Sequence, residues 1–172
     1  MEGGACSLVI LRRLRIYCYG FRLEAFLLRN PELIHSLSGF KNGLTKDYTF
    51  EILNQISTYI AGGAIDIACI YKKKVLDLWL KIGVTVFELK RGIIDPFYVD
   101  QIIRYIEWAS RLIPGAKKEM IKGILIGRDF GNQVDIRNLL LSKIRELRGL
   151  YHLEAYTYYI EDNSLKFKNI AE

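Results

Sequence analysis

Cysteine, proline and histidine are all scarce in this chain: three Cys, three Pro and two His among 172 residues. Cys6, Cys18 and Cys69 are widely spaced and odd in number, so they form no C-x-x-C and cannot supply a four-thiolate zinc site. Each lies among apolar neighbours, where a free thiol behaves as a small hydrophobe. His35 and His152 are separated by most of the chain and read as surface or packing residues. With few prolines and 51% apolar residues, neither disorder nor a linker-rich array fits. No uninterrupted apolar run approaches the roughly 18 residues a membrane helix needs. The first strong one, Leu8 to Leu11, is cut by Arg12 and Arg13 and is too short for a signal-peptide core. A cytoplasmic protein is therefore expected. G-x-x-x-x-G-K-[ST], G-x-G-x-x-G and G-x-S-x-G are all missing, and with them the usual nucleotide-binding and serine-hydrolase signatures. Catalysis, if present, is left to carboxylates, lysines and a hard metal ion.

What the chain does have is enough apolar material for one domain over residues 1–172. It carries 25 basic against 19 acidic side chains, a formal charge of +6. Residues 7–29 read mainly as helix, with Leu23, Phe26 and Leu27 as an apolar stripe, and residues 1–20 as an N-terminal extension that is mainly helical. Asn30-Pro31 interrupts it, because the residue before proline is pushed out of the helical region. A helical turn from Glu32 to Leu37 and a loop over Gly39–Gly43 follow. Tyr48 to Ile60 favours strand, with helix as an alternative. After a Gly62-Gly63 turn, Ala64 to Tyr71 is a strand, Lys72-Lys73-Lys74 its hairpin end and Val75 to Leu80 a returning strand. Val84 to Leu89 has the pattern of a central strand buried on both faces. Asp95-Pro96 signals a helix start, with Asp as N-cap and Pro at the first helical position. Val99, Ile102, Ile103, Ile106 and Ile113 mark the buried face of that helix. A strand over Lys122–Gly127, a helix over Val134–Leu147 and a last strand over Tyr151–Ile160 complete an α/β sandwich with a mixed sheet.

The informative polar residues are Asp66, then Glu88-Leu89-Lys90. Side chains alternate along a strand, so Glu88 and Lys90 share a face. Opposite charges at the end of a hydrophobic strand are expensive to bury unless paired or coordinated. If the two strands are neighbours, Asp66 and Glu88 converge on one hard cation. Magnesium accepts a few carboxylate oxygens plus waters, and the Leu89 carbonyl adds a ligand. Lys90 then stands where it can orient a metal-bound water or neutralise charge developing on a phosphate. The plainer reading is a salt-bridged pair at a sheet end, since E-x-K alone is a weak motif.

The series of motifs is more specific. Leu23-Glu24-x-Phe26-Leu27-x-x-Asn30-Pro31-Glu32-Leu33-Ile34, Gly63-x-Ile65-Asp66-Ile67, Glu88-Leu89-Lys90-Arg91-Gly92, Gln101-x-x-Arg104-Tyr105 and Gly123-Ile124-Leu125-Ile126 occur in that order. The chain resembles the PD-(D/E)XK nuclease superfamily, and within it the catalytic domain of archaeal NucS-type endonucleases. The resemblance implies a restriction-endonuclease-like α/β/α sandwich around a central mixed β-sheet, and a Mg²⁺-dependent DNA endonuclease with Mn²⁺ able to substitute. It implies Asp66 and Glu88 as metal ligands, Lys90 as the catalytic lysine, Glu24 as the helix acid and Gln101 as a residue arranging the site. The connection between Asp66 and Glu88 is longer than a tight hairpin and is expected to form an extended hairpin over residues 72–83.

Basic and aromatic residues complete the expectations. Lys72, Lys73, Lys74, Arg91, Arg104 and Tyr105 are candidates for DNA contact, with Gln101, Arg104, Tyr105 and Trp108 expected on the outer side of their helix. The expected partners are DNA and a second copy of the chain in a homodimer, with no membrane. A structure-selective role on flap, single-stranded or branched DNA in repair or recombination fits this set. The competing reading is a non-catalytic nucleic-acid-binding or assembly protein with the same fold.

Overall fold

A computed structural model of the protein describes residues 23–40, 47–58, 63–113, 120–130, 132–162 and 164–171. The expected helix before Leu23, Cys6, Cys18, Arg12, Arg13, Gly62 and Pro114-Gly115 lie outside the described residues, as does most of the Gly39–Gly43 loop. The elements are α1 (Leu23–Leu28), α2 (Pro31–Ser38), β1 (Tyr48–Thr58), β2 (Gly63–Val75) and β3 (Leu78–Leu89), then α3 (Tyr98–Leu112), β4 (Ile121–Arg128), α4 (Val134–Glu146), β5 (His152–Glu161) and β6 (Ser164–Asn169).

The first break falls where proline requires it. Asn30 has φ −129° and ψ 68°, Pro31 opens α2, and the Asn30 amide donates to the Phe26 carbonyl at 2.7 Å, closing the frayed end of α1. The six strands form one mixed sheet in sequential order, β1 to β6. β1–β2, β2–β3 and β5–β6 are antiparallel, whereas β3–β4 and β4–β5 are parallel. Each parallel step needs a crossover, and α3 and α4 supply them. The fixed handedness of such crossovers puts both helices on the same face when the chain advances in one direction. That face is sealed by Val99, Ile102, Tyr105, Ile106, Leu140 and Leu141 against Val84, Val86 and Leu125. The opposite face would be wet if nothing covered it. There Leu23, Phe26, Leu27, Ile34 and Leu37 of α1 and α2 pack on Ile67, Cys69, Phe87, Ile124 and Ile126. Gly123 lets α3 sit close, since a Cβ there would lie 2.6 Å from Ile106 Cδ1.

On the α1–α2 face, Lys122 is 5% exposed. Its ammonium donates to the Leu37 and Ser38 carbonyls at 3.3 and 3.2 Å and pairs with Glu154 at 2.8 Å. A cation is favoured at a helix C-terminus, so this one residue closes α2 and ties it to β4 and β5.

Several boundaries differ from the sequence reading. Lys72–Lys74 do not end the hairpin: β2 continues to Val75, and the two-residue turn is Leu76-Asp77. Val75 is thus the last residue of β2, and the returning strand starts at Leu78. Asp95 is not the N-cap and Pro96 is not helical, because α3 begins at Tyr98. Asp95 instead accepts the Phe97 N–H at 2.8 Å, stabilising a tight turn that leads into the helix. Tyr151–Ile160 is not the last strand, since the polar, lysine-rich β6 pairs with its outer edge. Tyr105 does not point outward: it is fully buried.

Candidate functional site

β2 and β3 run antiparallel, with Ile67 opposite Phe87, so the next residues outward are Asp66 and Glu88. There the ladder gives way to a side chain: Asp66 Oδ2 accepts the Leu89 N–H at 2.7 Å. The β3 backbone is held from the other side by the Lys90 N–H, which donates to the Ile126 carbonyl of β4 at 2.7 Å. The site thus lies at one edge of the sheet, where the C-terminal ends of parallel β3 and β4 meet the beginning of β2.

Glu88 is 3% exposed. Its Oε1 accepts the Lys90 ammonium at 2.5 Å, while its Oε2 is buried with no hydrogen-bond partner. A buried carboxylate oxygen without a donor is costly, about 1–3 kcal/mol or more for a charged group. Burial pushes the Glu88 carboxyl above its ordinary range; the Lys90 hydrogen bond opposes this and the Asp66 charge adds to it. Asp66 is raised too, by burial first, against hydrogen bonds from Leu89 and Gln55 and the charge of Lys90, with Glu24 pushing it further up. Two carboxylates that resist ionisation together, one with an open buried oxygen, suit a divalent cation. With the Leu89 carbonyl, they are the donors that could hold one. Among the described residues no group of three or more His, Cys, Asp or Glu could by itself hold a metal ion, so Glu24 influences Asp66 without joining it in such a cluster.

Lys90 has a second neighbour. Its ammonium lies 3.7 Å from the centroid of the Tyr98 ring, and its side chain is only 19% exposed. Gln101 donates to the Tyr105 hydroxyl at 2.8 Å, and that hydroxyl donates to the Ala64 carbonyl at 3.1 Å. Gln101 therefore acts on the start of β2, two residues from Asp66, through Tyr105. Burial raises the Tyr105 phenol, and the Glu88 and Asp66 charges add to that, which places it within their field. Gly63 makes room for it, because a Cβ there would sit 2.6 Å from the Tyr105 hydroxyl.

The remaining candidates divide. Arg91 is exposed beside the site, and its carbonyl accepts the Tyr158 hydroxyl at 2.9 Å. Arg104 is exposed on α3. Tyr105 is an internal anchor, fully buried, and offers no surface to DNA. Lys72–Lys74 lie six to eight residues beyond Asp66 along β2, roughly 20–26 Å away at about 3.3 Å per residue. The hairpin points away from the carboxylates and so leaves them uncovered.

Sequence reasoning passed over three contributors. Tyr98 could have been found as an aromatic in the first turn of the helix after Glu88-Leu89-Lys90. The Gln101–Tyr105 bond follows from i, i+4 spacing. Gln55 carried no sequence signal: it falls between the Asn54–Ile67 and Ile56–Ile65 pairs of the β1–β2 register, its amide approaches Asp66 Oδ1 at 3.4 Å, and its φ is +49°. A non-glycine residue in that region inside a strand is uncommon, and such strain gathers at functional sites.

Comparison of the chain with protein-family models, with curated proteins and with solved structures returns no match in any of the three. Among the described residues no helix is long and apolar enough to cross a membrane.

Proposed function

We propose that the protein is a metal-dependent endonuclease that hydrolyses DNA phosphodiesters, with a restriction-endonuclease-like α/β/α arrangement of the PD-(D/E)XK kind. The observation that carries this reading is the edge-of-sheet trio: Asp66 next to Glu88 across β2 and β3, Lys90 on Glu88 at 2.5 Å, and a buried Glu88 Oε2 with no partner. Asp66, Glu88 and the Leu89 carbonyl would hold Mg²⁺, or Mn²⁺ in its place. When bound, such an ion supplies Lewis-acid polarisation of a phosphoryl oxygen and lowers the pKa of a water. Asp66 and Glu88 fix the reacting edge through the Leu89 N–H and the Lys90 ammonium. Lys90 offers positive charge to the phosphoryl oxygens as negative charge builds in the transition state. Gln101 and Tyr105 hold the backbone of the Asp66 strand. The Glu24 charge on α1 raises the Asp66 carboxyl further. Arg91, which follows Lys90 directly, and Arg104 on α3 are exposed and would contact the DNA backbone. A homodimer would enlarge that contact surface.

The test is incubation of the full chain with labelled single-stranded, duplex, flap and four-way-junction DNA in Mg²⁺, Mn²⁺ or EDTA, beside Glu88→Gln and Asp66→Asn. Cutting that requires the metal and disappears in both variants is expected. Equal cutting by the variants would remove the site assignment. A second reading, a non-catalytic DNA-binding protein, draws on the Lys90 ammonium being already engaged by Glu88 and Tyr98 as a closed structural pair; metal-independent DNA binding without any cutting would favour it.

A further inference from the structure

The β2–β3 hairpin runs past the start of β4, flanked by β1 as far as Lys73, and all nine residues from Lys73 to Lys81 are exposed. Its register separates two faces. Lys72 pairs with Lys81 and Lys74 with Trp79, so these four side chains share one face. Lys73 pairs with Leu80 and Val75 with Leu78, and they share the other. Contacts with β1 agree: Lys72 meets Glu51 at 2.6 Å and the Lys81 charge also acts on Glu51, whereas Lys73 lies over the Tyr48 ring at 5.6 Å to its centroid.

The Trp79 face is a built combination. An indole that is 46% exposed has a lysine across the ribbon and two more at the next pair. Lys72 is paired with Glu51 at 2.6 Å and Lys74 with Asp77 at 3.7 Å; both are exposed pairs that a phosphate can compete for, and the face keeps a net positive charge that opposes the same face of a second copy. Lysine alone would suit any acidic partner, but a flat exposed ring adds little to a carboxylate. An unpaired nucleic-acid strand supplies both complements, a base to stack and phosphates beside it. A paired duplex offers its phosphates but keeps its base faces stacked inside.

We propose that this face of the hairpin binds an unpaired DNA strand, with a base stacked on Trp79 and phosphates on Lys72, Lys74 and Lys81. The proposal rests on the reading of the protein as a DNA enzyme and adds a contact roughly 26 Å from Asp66, counted along β2 to Lys74 at about 3.3 Å per residue. The hairpin makes the enzyme selective for DNA carrying an unpaired segment at a distance from the cut.

The experiment measures fluorescence anisotropy of labelled oligo(dT), and of a duplex of equal length, with the full chain in EDTA over a range of salt. Trp79→Ala should weaken oligo(dT) binding about tenfold, while Trp79→Phe keeps most of it. Lys74→Ala with Lys81→Ala should reduce the salt slope by about 1.4, the value for two lost single-strand phosphate contacts. Leu78→Ser with Leu80→Ser, on the other face, should leave binding unchanged. All five positions are exposed, and thermal melts of the variants should match the parent. Oligo(dT) binding by Trp79→Ala equal to the parent, or no binding by the parent, overturns the proposal. So does a dimer that dissociates in Trp79→Ala with DNA affinity unaltered, which would make this face a contact between copies. Parallel cleavage assays keep the two readings apart. Trp79-dependent binding without metal-dependent cutting retains the hairpin and removes the nuclease; Glu88-dependent cutting with full binding by Trp79→Ala does the reverse.

Discussion

The Lys90 ammonium lies over the face of Tyr98, 3.7 Å from the ring centroid. Together with Glu88 Oε1 at 2.5 Å, the ring fixes a flexible side chain from two directions. A cation–π contact of this kind contributes about 0.5–2 kcal/mol, more as water is excluded. Tyr98 is thus a positioning residue for Lys90. Tyr98→Ala should lower kcat by about 2- to 30-fold with KM little changed, and Tyr98→Phe, which keeps the ring, should restore the rate. A loss confined to KM, or no rescue by Phe, would show that the ring does not act through Lys90.

Cation binding should weaken in mild acid. Asp66 and Glu88 must be ionised to hold a divalent ion, and burial raises both above the ordinary carboxylate range. Affinity is therefore fully present only above those raised values and falls as pH drops through them. Lys90→Met removes a hydrogen bond that lowers Glu88 and should move the fall to higher pH. Calorimetric titration with Mn²⁺ across the acid range reads this directly; a fall at the pH of a free carboxylate, or one unmoved by Lys90→Met, would contradict it.

Stability should fail at a lower pH for a different reason. Burial alone would raise Glu154, but hydrogen bonds from His152, Lys122 and Tyr156 outweigh it and hold the carboxyl at about 2. An ordinary glutamate titrates at 4.5, so the stabilisation, roughly 3 kcal/mol, is complete above the unfolded value. It is lost as pH falls from there toward 2. Urea unfolding across this interval should show the loss in the parent. Lys122→Met should abolish much of the pH dependence and cost roughly 3–5 kcal/mol near neutrality, because it leaves Glu154 half-buried beside an uncapped α2. A flat acid profile in the parent would refute the assignment.

Gly63→Ala should damage the site from its back. The new Cβ would come within 2.6 Å of the Tyr105 hydroxyl, and Tyr105 is fully buried. Overpacking of this kind costs about 1–3 kcal/mol. Tyr105→Phe in the same chain should recover part of the lost melting temperature by removing the clashing oxygen. No recovery would place the strain elsewhere.

The sheet, its central strand and the pairing of Asp66 with Glu88-Leu89-Lys90 were legible because they depend on local patterns: alternation, a buried run, charges at its end. Lys72–Lys74 read as a hairpin end because a basic triplet resembles a turn, whereas backbone pairing continues to Val75 and Leu78. Tyr105 was placed outside because helical periodicity alone cannot distinguish an outer aromatic from one whose hydroxyl finds a buried carbonyl, here that of Ala64. β6 escaped notice because an edge strand with Lys166 and Lys168 lacks the apolar content of its neighbours, and charged edges of this sort discourage pairing with other chains. The backbone of Gln55 depends on what stands across from it and could not be read from one sequence.

Sequential strand order also has a kinetic consequence. Asp66 and Glu88 meet by closure of a single hairpin, and loop-closure entropy grows only slowly with such a span. The parallel β3–β4 and β4–β5 pairings must wait for longer crossovers, which fold more slowly. The two carboxylates are consequently joined by a more local closure than either parallel pairing requires, and Tyr98 and Tyr105 reach them on the longer α3 crossover that follows.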